Sequence, residues 1–246
     1  MITKGVLGIG CSFTWGEGLY FYSNLANTPP LKENHRFDGT HILTESHIQF
    51  KNKNRFLRIV ADNYGMWDIS NIGNGGSNVR NIKDYVDGFL INPNGINITD
   101  FELVIYQFTA PDREFINEKR TKDGWLFGDP MPIEDQIEFV NTAITDWESK
   151  GVKVVTLSWY DEFPNHPLYQ KYFKNRHVDI EVDGDMYNSF EYFLHKDKYN
   201  VTIASDFAEK GFQKNDIHFN PKGHRCIADS IIKKLKNDNW SPTNII

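Results

Sequence analysis

Short apolar runs rich in β-branched residues recur along this 246-residue chain, and they limit its possible folds more than any other feature. The runs lie at residues 5–10, 67–73, 101–109, 152–159 and, more weakly, 199–206. The runs at 5–10, 101–109 and 152–159 are nonpolar at most of their positions, which is typical of strands that are covered on both faces. The pattern therefore predicts a buried parallel sheet.

Segments with helical periodicity separate these runs. They occupy residues 54–65, 79–90, 134–151 and 220–237. Gly65 and Gly151 stand where a helix C-terminus favours glycine, and Asn220 with Pro221 forms a typical helix start. Strands alternating with helices indicate right-handed βαβ units. We therefore predict an α/β fold, a three-layer α/β/α sandwich with a parallel, flavodoxin-like sheet of about five strands.

Two stretches interrupt the alternation. Residues 19–52 are polar and have no clear period, and residues 160–198 alternate between aromatic and hydrophilic segments. Long irregular segments inside a compact domain are often functional. We interpret residues 1–246 as a single domain in which both stretches are insertions near one sheet edge. They form either the walls of a substrate site or surface decoration.

Composition narrows the possible partners and cofactors. The formal net charge of −6 argues against a polyanion, so no nucleic-acid partner is expected. No apolar stretch approaches the ~20 residues needed to span a membrane, and no signal peptide is visible. The expected location is therefore soluble and cytoplasmic at synthesis, without a membrane partner. Only Cys11 and Cys226 could pair, which excludes a disulfide framework.

Metal catalysis is not expected from the sequence. The eight histidines include no H-E-x-x-H motif, and the two cysteines have no partners at metal-ligand spacing. We therefore predict no metal and no cofactor.

The candidate chemistry lies in the loops that follow the predicted strands. Ligands of open parallel sheets bind at the carboxyl ends of the strands. Small or polar residues follow the first three runs, at 11–16, 71–78 and 107–113, and a segment containing acid and imidazole groups, 215–224, precedes the last helix.

Three of these segments resemble the sequence blocks of the SGNH hydrolases, also called the GDSL esterase/lipase superfamily. Residues 10–16, GCSFTWG, resemble G-D-S-x-T-x-G, with Cys11 in place of the usual aspartate. Asn71 and Gly76 match N-x-x-x-x-G. His218 lies in a segment similar to D-x-x-H-x-N-x-x-G-H, which Asn220, Gly223 and His224 also match. The resemblance extends from residue 5 to about residue 235.

The resemblance implies a serine esterase that acts on a small acyl ester, with O-acetyl groups on a carbohydrate as one candidate substrate. Ser12 would be the nucleophile and His218 the general base. The family position of the third triad member is Asn215, whereas Asp216 carries the charge that stabilises an imidazolium better. The histidine could be oriented by Asp216, by Asn215 or by a backbone carbonyl. Without a third catalytic side chain, the enzyme would use a Ser-His dyad.

The same resemblance implies an oxyanion hole. The backbone N–H groups of Ser12 and Gly76 would donate to the oxyanion, together with a side chain from residues 107–109. The third family block, G-x-N-D, supplies an asparagine that this chain lacks, so Gln107 or Thr109 would take its place. Gly76 would allow the backbone to approach the substrate closely.

Two other functions fit parts of the sequence. One is an SGNH-like protein with weak or no catalysis that serves as a binding or virion-associated module, which the departures from the family blocks favour. The other is a nucleotide-binding flavodoxin-like protein, because residues 8–13 begin like G-x-G-x-x-G. Residue 13 of that motif is phenylalanine rather than glycine, so this match is incomplete. The sequence does not specify the oligomeric state.

Overall fold

A parallel sheet forms the centre of the protein, and the described residues contribute four strands to it. The computed structural model describes residues 4–11, 14, 16, 19, 45–70, 97–111, 119–121, 124–126, 131–191, 197–199 and 218–243. The sheet has the strand order β2-β1-β3-β6. Its strands are β1 (Gly5–Ile9), β2 (Trp67–Ser70), β3 (Phe101–Phe108) and β6 (Lys153–Ser158). All three neighbouring pairs run parallel.

Helices cover both faces of this sheet. In chain order they are α1 (Glu45–Asn54), α2 (Phe56–Asn63), α3 (Ile133–Ser149), α4 (Glu162–Asn165), α5 (Pro167–Phe173) and α6 (Pro221–Asn237). Short 3-10 turns occur at Ile98–Asp100 and Asp197–Tyr199. None of the helices in the described part of the chain is long and apolar enough to cross a membrane.

Alternate residues of the central strands enter two separate hydrophobic cores. Leu103 and Ile105 of β3 pack in the core that contains α2 and α6. Val104 and Tyr106, on the opposite face of the same strand, pack with α3 and α5. Each face is therefore apolar, which explains the nearly continuous hydrophobic run of β3. The predicted three-layer α/β/α fold with a parallel sheet is confirmed.

The predicted helix ends carry the local geometry that the sequence indicates. Gly65 and Gly151 have positive φ angles of 65° and 85°, the left-handed conformation that glycine adopts most readily. In both helices the N–H groups of the glycine and of the residue after it donate back to carbonyls of the last turn, as in a Schellman motif. At the start of α6, the Asn220 side chain accepts a hydrogen bond from Gly223 N–H at 2.9 Å.

Residues 161–191 lie beside the edge strand β6. Helices α4 and α5 pack against the sheet through Phe163, Tyr169 and Phe173. His177 then forms a parallel bridge with Thr156 of β6. A hairpin follows, formed by β7 (Ile180–Val182) and β8 (Asp185–Tyr187). Segment 160–198 therefore contains regular structure that the sequence pattern did not predict.

Other sequence predictions fall partly or wholly outside the described residues. The predicted helix at 79–90 lies outside them. Of the weak strand predicted at 199–206, only Tyr199 is described, and it belongs to a 3-10 turn. Helix α1 occupies the end of the stretch in which we found no period. A second hairpin pairs β4 (Lys119–Thr121) with β5 (Gly124–Leu126).

Candidate active site

The ends of β1 and β3 lie side by side at the carboxyl edge of the sheet. Ile9 at the end of β1 pairs with Tyr106, so the residues after β1 meet those that end β3. This adjacency brings Cys11 and Thr14 close to Gln107. It places two of the sequence segments with candidate chemistry at one edge of the sheet, where ligands of parallel α/β folds bind.

Gln107 is wholly buried and hydrogen-bonded through both ends of its amide. Its Oε1 accepts a hydrogen bond from the Thr14 hydroxyl at 2.5 Å. Its Nε2 donates to Cys11 Sγ at 3.2 Å. Thr14 N–H also donates to the Cys11 carbonyl at 3.0 Å. The segment after β1 is thus bonded both to itself and to the neighbouring strand.

Thr109 differs from Gln107 in its hydrogen bonding. Its side chain is wholly buried just after the end of β3. Within the described part of the chain, its Oγ1 has no hydrogen-bond partner. A buried hydroxyl without a hydrogen-bond partner destabilises the folded protein. Such a group therefore calls for an explanation, of which a functional role is one. The fold thus leaves this hydroxyl unbonded, among the described residues, beside the carboxyl edge of the sheet.

The start of α2 connects the segment after β1 with the start of α6. A Cβ added at Gly16, whose φ is +83°, would lie 3.0 Å from Arg55 Cβ. The next residue, Phe56, donates its backbone N–H to His224 Nδ1 at 3.2 Å. Since α2 runs from this point to the amino end of β2, its first turn lies at the carboxyl edge of the sheet. The first turn of α6 therefore lies at that edge as well.

His218 lies three residues before the first residue of α6 and is 8% exposed. The following ring, Phe219, makes an edge contact with His224 at a centroid distance of 5.9 Å. Asn220 donates from Nδ2 to the Lys198 carbonyl at 3.0 Å and so fixes the chain after His218. A Cβ at Gly223 would lie 2.4 Å from the Tyr199 carbonyl oxygen, so only glycine fits there. The segment that carries His218 is therefore held tightly.

His224 is a neutral histidine of the protein interior. It is wholly buried, and its ring stacks on Phe56 at a centroid distance of 5.7 Å. Burial, together with smaller electrostatic contributions from His218 and Arg55, lowers the pKa of His224 to about 3. Its Nδ1 accepts the Phe56 hydrogen bond, so the proton lies on Nε2. This imidazole supports the site without exchanging protons near neutral pH.

A buried ion pair holds the first turn of α2 in place. The Arg55 guanidinium contacts Asp68 Oδ2 at 2.5 Å, and both side chains are at most 10% exposed. Arg58 contacts the other oxygen of the same carboxylate at 3.1 Å. Asp68 lies on β2, so the pair links α2 to the sheet. The sequence pattern did not reveal this link, because its partners are recognisable only in three dimensions.

The structure describes part of the predicted site. His218, Gln107 and Thr109 are described and lie at the carboxyl edge. Ser12, Gly76, Asn215 and Asp216 lie outside the described residues, so their predicted roles stay predictions. Sequence reasoning noted His224 only as a motif match and missed its bond to α2. Among the described residues, no three histidine, cysteine or acidic side chains are grouped as a metal site would require.

Comparisons with known proteins give likenesses of structure but none of sequence. No protein-family model matches the sequence. No curated protein matches it either. The solved structures include a carbohydrate esterase, described as having an active site with divergent catalytic and non-catalytic binding functions. It matches with 14% sequence identity and a TM-score of 0.43, over 96% of this chain and 69% of that chain. A likeness this distant carries no information about activity.

Proposed function

We propose that this protein is a serine esterase that hydrolyses small acyl esters, with Ser12 as nucleophile and His218 as general base. The observation that supports it best is the convergence of two segments on the first turn of α2. Gly16, four residues after Ser12 in the sequence, approaches Arg55, and His224, six residues after His218, accepts a hydrogen bond from Phe56. The family blocks that would carry nucleophile and base thus meet at one sheet edge.

The proposed reaction is acyl transfer in two steps. Ser12 Oγ attacks the ester carbonyl while His218 takes the hydroxyl proton, and that proton then leaves with the alcohol. Water, deprotonated by the same imidazole, attacks the acyl-serine; the carboxylic acid is released as His218 returns that proton to Ser12 Oγ. His218 needs an acceptor on its second nitrogen for this role. We assign that acceptor to Asp216, with Asn215 or a backbone carbonyl as the alternatives.

The oxyanion of the tetrahedral intermediate needs donors that are already in place. We assign them to the backbone N–H groups of Ser12 and Gly76 and to the Thr109 hydroxyl. The unpartnered, buried Oγ1 of Thr109 supports this choice over Gln107, whose amide is already bonded at both ends. One such donor typically lowers the activation barrier by about 3 kcal/mol. Thr109 would then replace the asparagine of the third family block.

The substrate that we propose is a small acyl ester, with acetyl groups on a carbohydrate as the first candidates to test. A graded series of p-nitrophenyl esters, from acetate to longer chains, measures the preferred acyl length. Acetylated sugars then test the alcohol part. The expected result is hydrolysis that falls as the acyl chain lengthens.

A fluorophosphonate probe combined with Ser12→Ala tests the nucleophile. We expect the native protein to be labelled at Ser12 and the variant to lose both labelling and ester hydrolysis, by about 1,000-fold or more in rate. Ser70→Ala is the matched control, because Ser70 ends the neighbouring strand β2 and its hydroxyl has no partner among the described residues. A native protein that neither hydrolyses esters nor reacts with the probe would favour the binding or virion-associated module instead.

A further inference from the structure

We infer that Gln107 is a positioning residue whose buried amide fastens the segment after β1 to the end of β3. We call its two side-chain hydrogen bonds, to Thr14 and Cys11, the Gln107 clamp. The clamp is a feature of the described residues alone. Only its consequence for catalysis rests on the proposed function.

Burial makes the clamp strong. Gln107, Thr14 and Cys11 are all 0% exposed, so water cannot replace either hydrogen bond. The partners are 93 and 96 residues from Gln107 in the sequence, so the clamp extends the contact between β1 and β3 beyond their last paired residues, Ile9 and Tyr106. Loss of the Thr14 hydroxyl would leave the Gln107 carbonyl oxygen buried without that donor. Such an unsatisfied group is costly and favours local opening.

The Gln107 clamp leaves no room for a side chain at Gly10. A Cβ at this position would lie 2.1 Å from Thr14 Oγ1 and 2.7 Å from Gln107 Oε1. Both atoms belong to the hydrogen bond that closes the clamp, so a side chain at residue 10 would force them apart. This contact explains why a glycine, and no larger residue, precedes Cys11 after an otherwise apolar strand.

The clamp bonds residues on both sides of position 12 in the sequence. Cys11 precedes the proposed nucleophile directly, and Thr14 follows two residues later. The clamp thus restrains the chain at Cys11 and at Thr14, and orientation of the reacting group controls the chemical step more than substrate binding. Gln107 would thus affect turnover without contacting the substrate, as a residue that acts through Cys11 and Thr14.

The reactivity of Cys11 measures the clamp directly, independent of any enzymatic activity. Both cysteines are described and neither forms a disulfide; Cys226 is only half-buried, so a Cys226→Ser background leaves one reporting thiol. A thiol-reactive disulfide reagent under native conditions reaches buried Cys11 only when the segment opens. Thr14→Val keeps the shape of the side chain and removes the hydroxyl. Thr14→Ser restores a hydroxyl.

Thr156→Val is the matched control. Thr156 is also a wholly buried threonine of the same domain core, and its hydroxyl bonds to Tyr169 at 3.0 Å. It lies on the edge strand β6, away from Cys11. We expect Thr14→Val to raise the Cys11 labelling rate at least about tenfold, and Thr14→Ser and Thr156→Val to stay near the parent rate.

Two results would overturn the inference. One is an unchanged labelling rate in Thr14→Val, and the other is an equal rise in Thr156→Val, which would report general destabilisation. Urea unfolding of each variant separates local from global opening, and Thr14→Ala replaces the valine variant if that variant does not fold. Ester hydrolysis is a separate readout: Thr14→Val should lower kcat about tenfold with KM nearly unchanged. If the native protein hydrolyses no ester, the proposed function fails, but the Cys11 labelling rates still test whether the Gln107 clamp holds the segment after β1.

Discussion

Acid should destabilise this protein through His224. The folded protein holds this imidazole neutral, because burial, together with smaller electrostatic contributions from His218 and Arg55, lowers its pKa to about 3, whereas the unfolded chain titrates near the ordinary value of 6.5. Below the unfolded pKa, the unfolded state therefore binds a proton that the folded state rejects. The contribution of His224 to the free energy of unfolding has its full value above pH ~6.5 and falls as the pH decreases from there toward the folded pKa.

The magnitude follows from these two pKa values. Between about pH 7.5 and about pH 5, His224 alone should lower the free energy of unfolding by about 2 kcal/mol, since the loss approaches about 1.4 kcal/mol per pH unit below the unfolded pKa. This is a substantial part of the 5–15 kcal/mol, roughly, that stabilises an ordinary domain. The effect needs no change in any other contact.

Urea unfolding of the native protein and of His224→Asn, measured across this pH range, tests the prediction. Asparagine does not titrate, and its Oδ1 can accept the hydrogen bond that Phe56 N–H donates to His224 Nδ1. The variant will be less stable at every pH because it loses ring packing, so the slopes are compared rather than the absolute values. We expect the free energy of unfolding to depend less on pH in the variant, by about 2 kcal/mol over the range. Parallel curves would refute the assignment of a buried, neutral His224.

Two further outcomes are expected. Tyr169→Phe should cost about 1–3 kcal/mol in urea unfolding, because the Tyr169 hydroxyl bonds to Thr156 at 3.0 Å and to His177 Nδ1 at 2.8 Å inside the protein; a loss below about 0.5 kcal/mol would contradict this. Asp216→Asn should lower ester hydrolysis by about 1,000-fold, with Asn215→Asp nearly neutral, if Asp216 orients the general base. A several-fold gain in Asn215→Asp would instead assign the position to Asn215.

The sequence alone determined the layers of the fold and the ends of several helices. Both faces of β3 carry apolar residues, so the sequence indicates a strand that is buried on both sides. Such a strand belongs to a sheet that lies between two layers of helices. Gly65, Gly151 and Asn220 mark helix ends because each meets a local backbone requirement, a positive φ or a side-chain cap. Such requirements concern neighbouring residues only, and a sequence displays them directly.

Helices α1, α4 and α5 were not predicted, because tertiary contacts decide them. Phe163, Tyr169 and Phe173 lie at spacings that look irregular until the face of β3 and β6 is present to receive them. Helix α1 is largely polar and presents no apolar stripe that a periodicity search could detect. For α4 and α5 the free energy that fixes the helix comes from packing rather than from local propensity.

In the candidate site, too, the sequence identifies some residues, whereas the tertiary structure decides their roles. Sequence motifs singled out His218, Gln107 and Thr109, since residue type and order are visible in one dimension. Only the tertiary structure distinguished Gln107 from Thr109, by giving the first two buried partners and leaving the second hydroxyl without one among the described residues. Hydrogen bonds between residues more than 90 positions apart depend on how strands pair. No local pattern encodes that pairing, so the roles of these two side chains became visible only in the folded chain.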